Sequence, residues 1–313
     1  MSQAERPWSI ALLSGSARVT TEAHETVIAE DGTRLFLRTM PARSPDTSRL
    51  RAFFCDGIAC EGFIWKYLWN DLASHCDVAH WHYRGHGRSG APADPDKVDI
   101  AQHARDLMAV RRHVGDPPCV LVGHSMGTQV CLETWRLFPE QVKGIVLVCG
   151  SYGKVTQSFR GVPILDAILP KLMSAVEKQP HLARAIWSRL PREMAFRAAM
   201  LAGDLDPDNV RREDIWPYLE HVTHVDLAMF LKTLRSAGEH SAEEYLAQID
   251  VPVLIVAGER DTFTPASLSR YMAEQIPGSE LLMIPNGTHV AVLEQPELVR
   301  ARIREFVERV SAS

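Results

Sequence analysis

Gly123-His124-Ser125-Met126-Gly127 places a serine between two glycines at the end of a short apolar run, Cys119 to Val122. A helix-compatible segment, Thr128 to Phe138, follows at once. Strand, glycine-flanked serine and helix in that order make a nucleophile elbow, and the chemistry it serves is acyl transfer. The serine must project from a sharp, strained turn, so a Cβ at either flank would strike the neighbouring strand or helix. The N-terminal N–H groups of the helix then point to where an oxyanion would form.

A serine hydroxyl is a weak nucleophile near neutral pH. It needs a base, and the base needs an orienting group. In an open α/β sheet such groups gather at the carboxyl ends of the strands, and that rule selects among thirteen histidines. His289 stands in Pro285-Asn286-Gly287-Thr288-His289, directly after the last candidate strand, and is the expected base. Asp261, in the loop Gly258-Glu259-Arg260-Asp261 after another strand, is the expected acid, preferred over Glu259 on the same loop. The strand ending at Cys149 leads into Gly150-Ser151 and offers no carboxylate. The resulting chain order is Ser, Asp, His.

These groups must be held by elements that the rest of the chain spells out. Apolar runs bounded by turn signals read as strands at 25–29, 35–39, 51–55, 77–81, 119–122, 142–149, 251–257 and 280–284. Asp31-Gly32 between the first two is a hairpin signal. Helical spacing appears over 63–74, 100–114 and 126–138, so strands and helices alternate as in a mostly parallel sheet covered on both faces. The alternation stops between Tyr152 and Gln248, where helical patterns over 164–177, 181–190, 192–202 and 224–235 are punctuated by prolines. The expected organisation is a core of 1–151 and 249–313 with a helical cap, 152–248, inserted into it. A closing helix is expected over 300–310.

The chain has 313 residues, 46% apolar and 23% charged, which suits one large globular unit. A net charge of -5 argues against a nucleic-acid surface. No apolar run approaches the ~18 residues of a membrane span. The patch Trp8 to Leu13 behind Glu5 and Arg6 makes a poor signal peptide, so a cytoplasmic location is expected. Cys55, Cys119, Cys131 and Cys149 lie in apolar runs, and none of the six cysteines forms a Cys-x-x-Cys pair. Reduced, structural thiols are expected.

Over essentially its whole length the chain resembles the cap-bearing α/β-hydrolases. The motifs that carry the resemblance are the serine elbow, Arg84-Gly85-His86-Gly87-Arg88-Ser89, Gly258 to Asp261, and Gly287-Thr288-His289 with Glu294-Gln295-Pro296 behind it. The resemblance implies an eight-stranded core with a helical cap after the sixth strand. It also implies an oxyanion hole made by the N–H groups of Ile58 and Met126, with Gly57 and His124 as supporting neighbours.

Two departures stand out. Members commonly carry His-Gly after the third strand, where this chain has Asp56-Gly57. They commonly carry Asp two residues before the Arg-Gly run, where it has His82. With the two strands adjacent, the exchange suggests that Asp56 and His82 form one charge-assisted pair holding the oxyanion loop.

His80-Trp81-His82 with His86 nearby raises a metal centre, but carboxylate ligands are missing around it, so neither metal nor cofactor is expected. A serine nucleophile argues against dehalogenase or epoxide-hydrolase chemistry, which uses a carboxylate. The function expected is hydrolysis of carboxylic esters of small apolar molecules through an acyl-enzyme. Thioesterase, lactonase, carbon–carbon hydrolase and cofactor-free haloperoxidase or perhydrolase chemistry would share the triad, and a low-turnover ligand receptor is the reading from another class. Apolar cap residues Ile164, Leu165, Ile168, Leu169, Met173, Trp187 and Phe230 are the expected pocket wall. The cap arginines at 184, 189, 192, 197, 211 and 212, interleaved with Asp and Glu, read as a solvated face.

Overall fold

Alternation along one strand sets the layers. Successive residues of a strand point to opposite faces, and Phe53 and Phe54 accordingly enter two different buried clusters. Neighbouring strands repeat the split, with Leu121 beside Val122 and Leu147 beside Val148. Strands buried on both faces are near-continuous apolar runs, which is how β5 and β7 read.

The computed structural model describes residues 21–43, 50–158 and 164–312. Its strands are β1 (Ala23–Ile28), β2 (Arg34–Met40), β3 (Arg51–Cys55), β4 (Asp77–Trp81), β5 (Cys119–His124), β6 (Val142–Val148), β7 (Val253–Gly258) and β8 (Glu280–Ile284). They form one sheet in the order β1-β2-β4-β3-β5-β6-β7-β8. The pairs β1–β2 and β2–β4 are antiparallel and the rest parallel, so this is the expected mostly parallel eight-stranded α/β sheet. β7 starts at Val253 rather than Val251, since Pro252 has no N–H for a ladder.

The core helices are α1 (Trp69–Leu72), α2 (Ile100–His113) and α3 (Met126–Leu137). Between β6 and β7 lie α4 (Val155–Ser158), α5 (Ile164–Lys178), α6 (Pro180–Trp187), α7 (Arg192–Leu201), α8 (Arg212–Val222) and α9 (Leu227–Glu239). The chain closes with α10 (Ala266–Gln275), α11 (Ala291–Glu294) and α12 (Pro296–Ala312). α2 and α3 cover one face of the sheet through Leu107, Val130 and Cys131, and α12 covers the other through Val299, Ile303 and Phe306. No helix among the described residues is long and apolar enough to cross a membrane.

Two sequence expectations need correction. The helix expected over 63–74 is a 3-10 turn, Phe63–Trp65, followed by the single turn α1. Tertiary bonds win over local periodicity there, because the indoles of Trp65 and Trp69 donate to Asp56 and Glu22. The helical stretch after β6 is also not uniform. Its end is part of the core, where Ala237, Ala242, Tyr245 and Leu246 are buried with the β-sheet residues.

Arg84, fully buried, ties distant segments together. It makes a two-pronged bond to Asp106 of α2 at 2.8 and 2.6 Å and a third to Asp31 of the β1–β2 turn at 2.7 Å. Removing one partner of a buried ion pair leaves an uncompensated charge and costs about 3–5 kcal/mol. Arg84→Met should therefore lower stability by that order in a denaturant titration. A loss under about 1 kcal/mol would show that the bonds contribute little.

Candidate active site

The elbow is as tight as its glycines imply. Ser125 sits at φ 55°, ψ -121°, a backbone state that side-chain-bearing residues rarely adopt. A Cβ on Gly127 would lie 2.0 Å from the carbonyl oxygen of Cys55, so only glycine lets α3 dock on the end of β3. The serine is thereby set at the mouth of the loop Asp56-Gly57-Ile58. The N–H groups of Ile58 and Met126 border it and donate to no protein acceptor among the described residues.

His289 faces the serine, its Nε2 2.9 Å from Ser125 Oγ. Its Nδ1 lies 2.9 and 3.1 Å from the two carboxylate oxygens of Asp261. Asp261 in turn accepts the backbone N–H groups of Phe263 and Thr264 and the hydroxyl of Thr264, each at 2.8 Å. Burial pushes the Asp261 carboxyl up, but the His289 charge and hydrogen bond together with the Thr264 donors outweigh it, so its pKa sits below the ordinary value. With an ionised partner at Nδ1, the ring keeps a proton there and presents Nε2 to the serine. Phe263 stacks on the ring at 5.0 Å between centroids.

The loop carrying His289 is pinned from behind. Glu294 accepts the N–H of Thr288 at 2.7 Å and its hydroxyl at 2.6 Å. His124 reaches the same loop, its Nε2 2.9 Å from the carbonyl oxygen of His289. Burial, and then the His289 charge, push His124 down to about 3, so it stays neutral.

The pairing of Asp56 with His82 is not found. Asp56 Oδ2 lies 2.7 Å from Nε2 of His80, and its Oδ1 accepts the indole N–H of Trp65 at 2.8 Å. Phe54 pairs in register with His80, and Asp56, two residues on, leaves the sheet on the same face. Both histidines are within reach of that face, but His82 is engaged elsewhere. Its Nδ1 accepts the N–H of Arg88 at 2.9 Å, and a Cβ on Gly87 would come within 2.2 Å of it. Arg38 Nε donates to Nδ1 of His80 at 3.1 Å, which sets the ring so that Nε2 faces Asp56. Burial would raise the Asp56 carboxyl, but His80 by charge and hydrogen bond, aided by the charge of Arg38, holds it below its usual pKa. The Asp56 carbonyl also accepts the hydroxyl of Tyr83 at 2.9 Å, so both ends of the residue are fixed.

A largely apolar cavity of about 260 Å³ opens over Ser125. Phe196, Ile215, Tyr218 and Phe230 reach it from helices α7 to α9, and Phe63 and Phe263 from the core loops. Of the expected wall residues whose side chains are described, only Phe230 borders it. Leu169 packs with Val176 and Leu231 inside the helical segment, with Met173 alongside. Ile168 is 51% exposed. Leu165 is half-buried and borders no described cavity at the serine. Trp187 gives its indole N–H to the carbonyls of Val222 and Val225 and leans on Phe230 from behind. The side chain of Ile164 lies outside the described residues. The reason is that helix periodicity gives an apolar face without saying whether it meets a cavity or another helix.

Among the described residues no cluster of His, Cys, Asp or Glu could hold a metal ion, the His80–His82 stretch included. All six cysteines are free and buried. Thr264 was not anticipated, although its place three residues after Asp261 is a spacing at which a side-chain hydroxyl returns to a carboxylate.

A family model described as alpha/beta hydrolase fold matches residues 53–296. Protein ABHD8 of Homo sapiens is 26% identical over 260 residues, which are 82% of this chain and 54% of that protein. The chain thus spans about half the length of this relative. RutD of Klebsiella pneumoniae (strain 342) is 26% identical over 238 residues, 74% of this chain and 82% of that one. Among solved structures, an esterase, EaEST, from Exiguobacterium antarcticum superposes with a TM-score of 0.73 at 18% identity, covering 91% of this chain and 100% of the other. At that identity the likeness is one of fold.

Two measurements check the electrostatic account. In a double-mutant cycle on stability, Asp56→Asn with His80→Gln should show a coupling of about 0.5–3 kcal/mol. The cycle of Asp56→Asn with His82→Gln should be additive within about 0.5 kcal/mol. The reverse pattern would return the pair to His82. The second measurement concerns acid. Burial, and for His82 also the charge of His80, hold His82 and His124 down to about 3, and burial holds His86 down to about 4. The unfolded chain takes protons at all three as pH falls below about 6.5, while the folded chain stays neutral there until pH 4 or lower. Their contribution is therefore fully present above pH 6.5 and is lost as pH falls toward 4, at up to about 4 kcal/mol per pH unit. The thermal midpoint should fall steadily across that window, and a flat profile would contradict the assignment.

Proposed function

We propose that this chain, which belongs to the α/β-hydrolase fold family, is a serine hydrolase that cleaves apolar carboxylic esters through an acyl-enzyme. The observation that carries the reading is the unbroken contact from Ser125 Oγ through His289 to the Asp261 carboxylate, each link at 2.9 Å. It lies at the floor of an apolar cavity and beside two N–H groups with no protein acceptor among the described residues.

In this mechanism His289 Nε2 takes the hydroxyl proton as Ser125 Oγ adds to the ester carbonyl. Asp261 keeps the ring oriented and stabilises the imidazolium. Negative charge builds on the carbonyl oxygen toward the N–H groups of Ile58 and Met126, where one preorganised donor is worth about 3 kcal/mol of barrier. Asp56, held by His80 and Trp65, acts as a positioning residue that fixes the loop bearing Ile58. The collapsing adduct expels the alcohol with the proton from Nε2. Water then attacks the acyl-serine with the same ring as base. Helices α5 to α9 act as a cap whose inner side chains exclude water and favour apolar groups.

Ser125→Ala should lower ester turnover by at least about a thousandfold, since triad members act as a unit. Its melting curve should remain close to the parent's. A fluorophosphonate should label the parent at Ser125 and leave the variant unlabelled. Residual turnover within tenfold of the parent would remove Ser125 as nucleophile.

A further inference from the structure

We infer that the site divides its ester unequally, taking a short acyl group on one side of Ser125 and a bulky apolar alcohol on the other. The inference rests on the serine-hydrolase reading above and adds which half of the ester is large. Two cavities meet at the serine. The larger, about 260 Å³, is bordered by His289 and Val290 and extends along Phe63, Phe196 and Ile215. The smaller, about 80 Å³, is bordered by Met126, Gln129, Val155, Ala237 and Thr264, and His289 is not among its walls. Ile58, Ser125, Leu234 and Phe263 border both and form the divide between them.

Bond breaking decides which half goes where. When the tetrahedral adduct collapses, the bond from the carbonyl carbon to the alcohol oxygen breaks and its electron pair stays on that oxygen. The oxygen takes the proton held on His289 Nε2, so it must lie within about 2.6–3.2 Å of that nitrogen. The alcohol therefore occupies the cavity that His289 borders. The carbonyl oxygen is turned to the N–H groups of Ile58 and Met126. The one substituent left, the acyl chain, points away from His289 and past Met126, into the smaller cavity. Water then replaces the alcohol beside His289, gives a proton to Nε2 and adds to the acyl carbon. Ser125 leaves with that proton, so ester plus water becomes acid plus alcohol.

The walls of the smaller cavity resist widening. Gln129 is fully buried, donating from Nε2 to the Ala237 carbonyl at 2.8 Å and lying 3.2 Å from His240 Nδ1. Beside Val155, Thr156 is wedged against Gly238, where a Cβ would come within 2.4 Å of its hydroxyl oxygen. Neither Gln129 nor the turn that carries Val155 yields to a simple side-chain rotation, and the limit on the acyl side is correspondingly sharp. Acetyl to butanoyl groups fit this description, and medium or long fatty acyl groups do not.

Two ester series on the full chain test the division. The first keeps p-nitrophenol as alcohol and lengthens the acid from acetate through butanoate and octanoate to dodecanoate. The second keeps acetate and enlarges the alcohol from ethanol to hexanol and 2-(2-naphthyl)ethanol, three alcohols of similar acidity. The value of kcat/KM should fall at least about tenfold from butanoate to octanoate and rise at least about tenfold from the ethyl to the naphthylethyl ester. Val155→Ala, checked for folding by its melting curve, should move the acyl limit from butanoate toward hexanoate. Octanoate turned over faster than acetate, no response to alcohol size, or an unmoved limit in the folded variant would each overturn the division while leaving the serine hydrolase intact. No turnover in either series, with Ser125 unlabelled by a fluorophosphonate, would overturn both readings, and that result is distinct from the others.

Discussion

Two backbones meet at Gly127 more closely than any side chain would allow, and the site is built outward from that contact. The helix that begins beside Ser125 can rest on the carbonyl of Cys55 only because no Cβ stands between them. That contact fixes the distance from the serine to the loop after β3, and with it the spacing of the Ile58 and Met126 N–H groups around one point. A second approach of the same kind occurs across the sheet. A Cβ on Gly258 would lie 2.3 Å from the carbonyl of Thr288, so the loops bearing Asp261 and His289 lie against each other. Close packing transmits small displacements, and a shift at either glycine would open the gap between Oγ and Nε2.

On this frame the charges are arranged so that the neighbours of the working groups do not titrate with them near neutrality. Asp56 and Asp261 stay ionised although buried, each because histidine and polar donors surround its oxygens. His82 and His124 stay neutral because burial denies them water. Arg38 holds Nδ1 of His80 and so keeps the other ring nitrogen turned toward Asp56. Beside the serine, the N–H groups of Ile58 and Met126 donate to no protein acceptor among the described residues.

What could be read from the sequence was what the chain encodes locally. The elbow, the loop after β7 with Asp261 and the loop after β8 with His289 each follow an apolar run by a few residues, and strand ends locate them. The partner of Asp56 was harder because two histidines, His80 and His82, share one strand face. The choice between them depends on Arg88, whose N–H comes round through the glycine-rich loop to claim His82. The cavity wall was harder still. Leu169 and Phe196 are both apolar residues of amphipathic helices, yet one packs against Leu231 and the other faces the serine. Periodicity carries no information on that difference, which arises only when helices are docked. Helix α8, carrying Ile215 and Tyr218, was missed as a helix because Pro217 interrupts the pattern.

The buried pair of Asp56 and His80 limits what either position can become. Replacing Asp56 alone leaves the imidazole of His80 without its partner inside the sheet, and replacing His80 alone does the same to the carboxylate. Either single change draws on a stability that is marginal to begin with. Aspartate at 56 and histidine at 80 are therefore held as a unit.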